Sequence, residues 1–172
     1  MDAEPKEFLD TVVARLANDG FSVQRSVQAV PYTLDILASR SLEKKVMWGG
    51  TSIPWSEVVA VSLMEIRCPD DARNYSSFLA KYVLKNRHSL HTRWNDLTTV
   101  AVIVSSSFGN DTKQWVFETT PEYSEMWARA EFPVLVDLGN REIIYPRKGS
   151  PGNGPLFENL RYLSDEWFGF SA

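Results

Sequence analysis

The stretch Ser56–Arg67, SEVVAVSLMEIR, decides the fold. Its apolar side chains fall on both alternations: Val59, Val61 and Leu63 on one, Val58, Ala60, Met64 and Ile66 on the other. Successive side chains of a strand point to opposite faces, so a segment apolar on both is covered on both. That predicts a strand in the middle of a sheet. At its end one face changes to Glu65 and Arg67, two positions apart and so side by side, and Pro69-Asp70-Asp71 then opens an amphipathic helix. Chemistry, if the chain performs any, is expected near that exit.

Working upstream, residues 5–19 predict a helix. Phe8, Leu9, Val12, Val13 and Leu16 share one stripe, Pro5 suits the first turn and Gly20 the position just past the end. Phe21–Val30 alternates, with Phe21, Val23 and Val27 one way and Ser22, Gln24 and Ser26 the other, until Pro31 breaks it. Tyr32–Ser39 alternates again: Tyr32, Leu34, Ile36 and Ala38 on one face, Asp35 projecting from the other. Arg40–Trp55 either extends that strand or adds a short one, and Gly49-Gly50 and Pro54 punctuate it as a turn or loop.

Downstream, Asp70 is expected to cap a helix reaching about Asn86, its buried stripe made of Tyr75, Phe78, Leu79, Tyr82 and Val83. Residues 88–96 form a polar connection, and Thr98–Ser105 is a second strand buried on both faces. A helix over Thr112–Glu118, capped by Asn110 or Asp111, and another from Thr120-Pro121 to Ala130 follow. Phe132–Leu138 and Arg141–Tyr145, joined by Gly139-Asn140, predict a two-residue β-hairpin. Pro133 confines it to an edge or to an unpaired first residue. Leu156, Leu160, Leu163 and Trp167 mark a closing helix. The expectation is an α/β fold in one domain spanning 1–172: a mixed β-sheet with an αβββαβ core flanked by helices, plus a C-terminal β-hairpin and helix.

Composition narrows the function classes. The chain has 172 residues, of which 44% are hydrophobic, 12% aromatic and 23% charged, enough for a sizeable core without covalent staples. A formal net charge of -4 gives no global attraction to nucleic acid or to an anionic membrane surface. A single cysteine, Cys68, excludes an intrachain disulfide framework and a Cys-rich zinc site, and is read as a small buried residue. No apolar run approaches a membrane span and the start, MDAEPKEF, is acidic, so a cytoplasmic protein is expected.

The element order αβββαβ resembles the core of the restriction-endonuclease-like, PD-(D/E)xK, nucleases. In that family an acid on the second strand and a D/E-x-K pair on the third bind a divalent metal and activate water. The resemblance puts Asp35 at the first acid and Glu65-Ile66-Arg67 at the D/E-x-K step, with arginine in place of lysine. Arginine is planar and always protonated, so it anchors phosphate but does not replace a tunable ammonium. Mg2+ would be the cofactor of that reading; without it no cofactor is expected. The last third, ARAEFPVLVDLGNREIIYP with its closing helix, is similar to a group of uncharacterised prokaryotic, largely archaeal, proteins, a likeness that implies kinship and no chemistry.

Each candidate has a plainer alternative. Glu65 and Arg67 can be an ordinary strand-end ion pair, or Arg67 can pair with Asp70 or Asp71. His88 and His91 stand at i, i+3 with Asp96 near, but in a polar loop they read as solvated residues, and no metal site is assigned. Ser105–Thr112 joins a buried strand to a helix but lacks any phosphate-binding glycine pattern or nucleophile elbow, so no hydrolase is expected. Trp48 and Trp94, flanked by Lys44, Lys45, Arg87 and Arg93, are aromatics set among basic residues and suit contact with a partner. Since no catalytic constellation emerges, the expected function is a non-catalytic protein-binding or assembly module, with Lys44, Lys45, Trp48 and Trp94 as partner-binding residues. The alternative is a Mg-dependent nuclease, or a degenerate nucleic-acid-binding relative, using Asp35, Glu65 and Arg67.

Overall fold

A computed structural model describes residues 5–45, 52–86, 97–120, 123–124, 129–147 and 154–170. The elements run α1 (Pro5–Asn18), β1 (Ser22–Ala29), β2 (Tyr32–Lys45), β3 (Ser52–Leu63), α2 (Pro69–Asn86), β4 (Leu97–Ser105), α3 (Asn110–Glu118), β5 (Tyr123–Ser124), β6 (Arg129–Asp137), β7 (Glu142–Ile144) and α4 (Gly154–Phe168). The first six give the order αβββαβ. One mixed sheet takes every strand in the order β1-β2-β3-β4-β6-β5, with β7 also on β6. The β1/β2 and β2/β3 pairs are antiparallel, β3/β4 and β4/β6 parallel, and β5 and β7 antiparallel to β6. The fold is α/β, as the periodicities predict.

β3 sits between β2 and β4, and Val58, Val59, Ala60 and Val61 are all fully buried. Its two faces belong to two different cores. Val59 and Val61 join Phe8, Val12 and Leu16 of α1 and Leu160, Trp167 and Phe168 of α4. Val58 and Ala60 join Tyr75, Leu79 and Val83 of α2 and Val116 of α3. Burying one such side chain contributes roughly 1.5–3 kcal/mol, so this sandwich of helices around one strand is the main source of stability.

α1 buries Phe8, Val12 and Leu16 at four-residue spacing. It closes in a Schellman motif: Phe21 N–H donates to Leu16 O at 3.0 Å and Gly20 N–H to Ala17 O at 3.1 Å. Gly20 takes φ +88°, a conformation that costs a side chain dearly and glycine nothing.

The first hairpin departs from simple alternation. Phe21, Val23, Ile36 and Ala38 pack on the α1/α4 side, whereas Val27, Tyr32 and Leu34 pack on the α2 side. The switch occurs at one level: Arg25 pairs with Ile36 and Val27 with Leu34, but the intervening Ser26 and Asp35 are absent from the ladder. Ser26 has φ +53°, which rolls the chain by half a residue period. The expected single faces Phe21/Val23/Val27 and Tyr32/Leu34/Ile36/Ala38 are therefore each split between the two cores.

Four further expectations are corrected. β3 starts earlier, at Ser52, and ends earlier, at Leu63, so Glu65 and Arg67 lie beyond the strand rather than on it. α2 begins at Pro69, placing Asp70 and Asp71 inside its first turn instead of at a cap. The expected helix from Thr120 to Ala130 is not there: β5 occupies Tyr123–Ser124 and β6 begins at Arg129. α3 starts at Asn110 behind Gly109 as N-cap, with no side-chain cap; Asp111 Oδ1 accepts the neighbouring Thr112 N–H at 2.8 Å instead.

The β6–β7 hairpin also differs. Asp137 pairs with Glu142, leaving residues 138–141 as a four-residue connection with Arg141 at φ +53°. A two-residue turn does not form because Leu138 N–H and Gly139 N–H go to Ser105 O and Ser106 O, at 2.9 and 3.0 Å, docking the turn on the end of β4. Gly139 is required there: a Cβ would come within 2.5 Å of Ser106 O. Nor is Pro133 on an edge strand. β5 pairs with Arg129 and Ala130 and β7 with Leu135–Asp137, and Pro133 lies in the interval between them, where no described strand requires its missing N–H.

Candidate functional site

The rim where β3 gives way to α2 holds the three residues expected to carry chemistry. Asp35 is half-buried at the roll of β2, and its Oδ2 accepts the Leu63 N–H at 2.7 Å. The ladder explains this: β2 pairs with β3 only as far as Ile36 opposite Val61, so the carboxylate supplies the acceptor that the departing backbone no longer offers. Glu65 and Arg67 are exposed. The Arg67 backbone N–H donates to Asp71 Oδ2 at 2.9 Å, while Asp70 pairs with Arg73 at 2.6 Å. Cys68 is exposed, not buried as expected, because it stands in the short link outside both cores.

Behind this rim lies a hydrogen-bonded chain. Ser62 Oγ meets Thr33 O and the Tyr75 hydroxyl, each at 2.9 Å. Burial drives the Tyr75 hydroxyl far above the usual tyrosine range; the bond to Ser62 offsets this in part, and the charge of Asp35 adds to it. Tyr32, edge-on to Tyr75 with ring centroids 5.2 Å apart, is raised by burial and then by Asp71. Both phenols stay protonated across the physiological range, and the Tyr75 hydroxyl acts as a structural hydrogen-bonding group. Asp35 is thus joined to the β3 terminus, and Glu65 and Arg67 follow it outward. Among the described residues no group of three or more His, Cys, Asp or Glu side chains could hold a metal ion.

The expected partner-binding residues Trp48 and Trp94 lie outside the described residues, as do His88 and His91. The backbones of Lys44 and Lys45 end β2, opposite Ile53 and Ser52, and their side chains are likewise outside the description.

Two buried charge clusters were not foreseen. Arg40 and Glu57 are direct cross-strand partners, Nε to Oε2 2.7 Å, and Glu57 is only 3% exposed. The same guanidinium donates to Asp19 O at 2.7 Å and meets Asp19 Oδ2 at 3.0 Å, lying 4.4 Å from the Phe21 ring centroid. Asp19 also accepts the Trp167 indole N–H at 2.7 Å, tying α4 to the end of α1. The signal was present in the sequence: Glu57 is in phase with Val59 and Val61, and a charge on an apolar face needs a partner.

At the other end of the parallel strands, Lys113 of α3 bridges Asp137 of β6 and Glu142 of β7, both at 2.8 Å. Asp137 is fully buried and also accepts the backbone and side-chain N–H groups of Asn140, at 3.0 and 2.9 Å. Burial raises its carboxyl, but the hydrogen bonds from Lys113 and Asn140 and the Lys113 charge outweigh it and hold it below the usual carboxylate value. Burial lowers Lys113, and its bonds to Asp137 and Glu142 more than reverse that. These bonds join Lys113, Asp137, Asn140 and Glu142, which makes the cluster a staple between helix and hairpin.

The surface offers a cleft of about 330 Å3 between α1 and α4. Tyr162, 62% exposed, and Leu163 stand beside Trp167, with Asp19 and Glu166 supplying negative charge. Arg15 and Asn18 complete its lining, and no serine, cysteine or histidine stands among the described residues around it. Among the described residues no helix is long and apolar enough to cross a membrane. No protein-family model, curated protein or solved structure matches the chain.

Proposed function

We propose that the chain is a non-catalytic protein-binding module and that it takes a basic side chain of a protein partner into the cleft between α1 and α4. The observation that carries this reading is Tyr162. A tyrosine 62% exposed on the lip of a 330 Å3 recess, backed by Trp167 and flanked by Asp19 and Glu166, has the composition of an interface anchor. An arginine or lysine seated there gains the exposed Tyr162 ring and the Glu166 carboxylate, and the net charge of -4 favours a basic partner at long range. Arg15 is turned to the Trp167 and Gly169 carbonyls, and Asp19 is already bonded to Arg40 and Trp167. The test is to replace Tyr162 with a photoreactive benzophenone residue and crosslink in cells. Discrete protein adducts that disappear when Glu166→Lys is added support the reading. No adduct, or adducts indifferent to Glu166→Lys, would overturn it.

A second reading, the Mg2+-dependent nuclease or its degenerate nucleic-acid-binding relative, has one observation in its favour. The Asp35 carboxylate meets the Leu63 N–H, two residues before Glu65, at the rim where the resemblance puts acid and base. On that reading Glu65→Gln abolishes cleavage of DNA or RNA without altering the fold, and Mg2+ or Mn2+ gives a saturable change in tryptophan fluorescence. A flat titration together with no cleavage removes it.

A further inference from the structure

The helix layers on the two faces of the sheet present opposite charge to solvent. α2 has no acidic residue after Asp71, and its second half carries Lys81, Leu84 and Lys85 at i, i+3 and i+4. Its buried stripe includes Ser76, Leu79, Ala80 and Val83, so the helical period puts Lys81 directly opposite the core. Both lysines are exposed, and neither has an ion pair or hydrogen bond among the described residues. Other exposed cations differ: Arg25 is paired with Asp10 and Arg73 with Asp70. The helix dipole favours Lys85 in the last turn. Leu84, 37% exposed beside it, adds apolar surface to the same stripe, and that combination is what an interface needs at its centre.

The α1/α4 cleft has the complementary shortage. Tyr162 and Glu166, i and i+4 on α4, give it an exposed ring and a carboxylate with no ion pair or hydrogen bond among the described residues. Asp19, the other acid of the cleft, is already held by Arg40 and the Trp167 indole. A lysine suits this pair of groups: its ammonium meets a carboxylate as a point charge while its methylenes lie along an aromatic ring. α2 packs on one face of the sheet and α1 and α4 on the other, so a chain cannot bring its own lysines to its own cleft.

Resting on the reading of the cleft as a site for a basic side chain, we propose that the partner is a second copy of this chain. Lys81 or Lys85 of one copy pairs with Glu166 of the next, and Leu84 packs on the Tyr162 ring. Two different surfaces meet, so the contact is heterologous and each added copy leaves one cleft and one α2 open. Copies therefore join head to tail rather than closing as a twofold dimer. The net charge of -4 opposes this at long range, but at physiological salt the screening length is about 8 Å, so the groups in contact decide.

The test is sedimentation of the full chain from low micromolar to near-millimolar concentration. The average mass should rise with concentration and pass that of a dimer. Glu166→Lys, and separately Lys81→Glu with Lys85→Glu, change exposed side chains; both variants should keep wild-type circular dichroism and stay at monomer mass. Mixed in equal amounts, each variant has one intact surface, so the mixture should reach the mass of a dimer and stop. The inference is overturned if the wild type stays monomeric or stops at a dimer, if either variant associates as the wild type does, or if the mixture remains monomeric. A monomeric wild type whose Tyr162 position still crosslinks to other proteins, with loss in Glu166→Lys, sinks this inference alone; absence of any crosslink sinks the function proposed for the cleft as well.

Discussion

At one end of the sheet Arg40 and Glu57 face each other across adjacent strands; at the other, Lys113 reaches from α3 to Asp137 at the tip of β6. Both pairs are buried, and both have a further acid, Asp19 or Glu142. They differ in what the cation does. Arg40 is planar: it divides its donors between Glu57 and Asp19 and lies over Phe21, so it packs as well as pairs. Lys113 is a point charge held between two carboxylates, with no ring against it in the described contacts. The Arg40 cluster gathers α1, β2, β3 and α4, while the Lys113 cluster ties only α3 to the hairpin after it. One end of the sheet is closed by shape and charge together, the other by charge alone.

That contrast can be broken in order of effect. The largest loss is expected from Asp137→Ala, which leaves the Lys113 ammonium without its buried partner: about 3–5 kcal/mol in urea unfolding. Adding Lys113→Met should recover much of it, and a single-variant loss below about 1 kcal/mol would show the pair is not a buried staple. Next comes Arg40→Lys, which keeps the charge but removes the fork and the ring contact; about 2 kcal/mol is expected. A neutral outcome would erase the distinction drawn between the two ends. Asp35→Ala removes one acceptor from the Leu63 N–H and should cost about 1 kcal/mol, whereas Glu65→Ala, exposed beyond the strand, should leave the urea midpoint unchanged.

The smallest effect is in pH. The Asp137 carboxyl is held below its usual value, so the stability it contributes is present above about pH 4, the unfolded value, and is lost as pH falls through the folded one. Lys113 is raised, so its contribution is complete below about pH 10.4 and is lost as pH rises through the folded value. Asp137→Asn should therefore flatten the acid limb of Tm against pH; an unchanged acid limb would remove Asp137 as its source.

Much of the fold was legible because alternation and helical spacing are local. Val58–Val61 announces a doubly covered strand, and Phe8, Val12 and Leu16 a helix face, without knowledge of what covers them. Pairing was not legible: nothing local says that Arg40 will stand opposite Glu57, or that β6 will run beside β4 and so cover Pro133 on one side. The roll at Ser26 escaped because a serine at φ +53° leaves no mark on composition. At the candidate site, the placing of Asp35 on β2 could be read, but its role could not. That depends on where β2 parts from β3, a property of two strands and not of one sequence window. Glu65 and Arg67 were placed on a strand because apolar alternation runs on to Ile66, whereas pairing stops sooner.

The roll in the first hairpin has a mechanical consequence. Its outer half is committed to the α2 layer and its inner half to the α1/α4 layer, so a single ribbon is clamped on both sides of the sheet. Neither layer can be peeled away without pulling on the other through Ser26 and Asp35. Loosening on one side of the molecule is thereby communicated to the far side as tension in a shared strand pair.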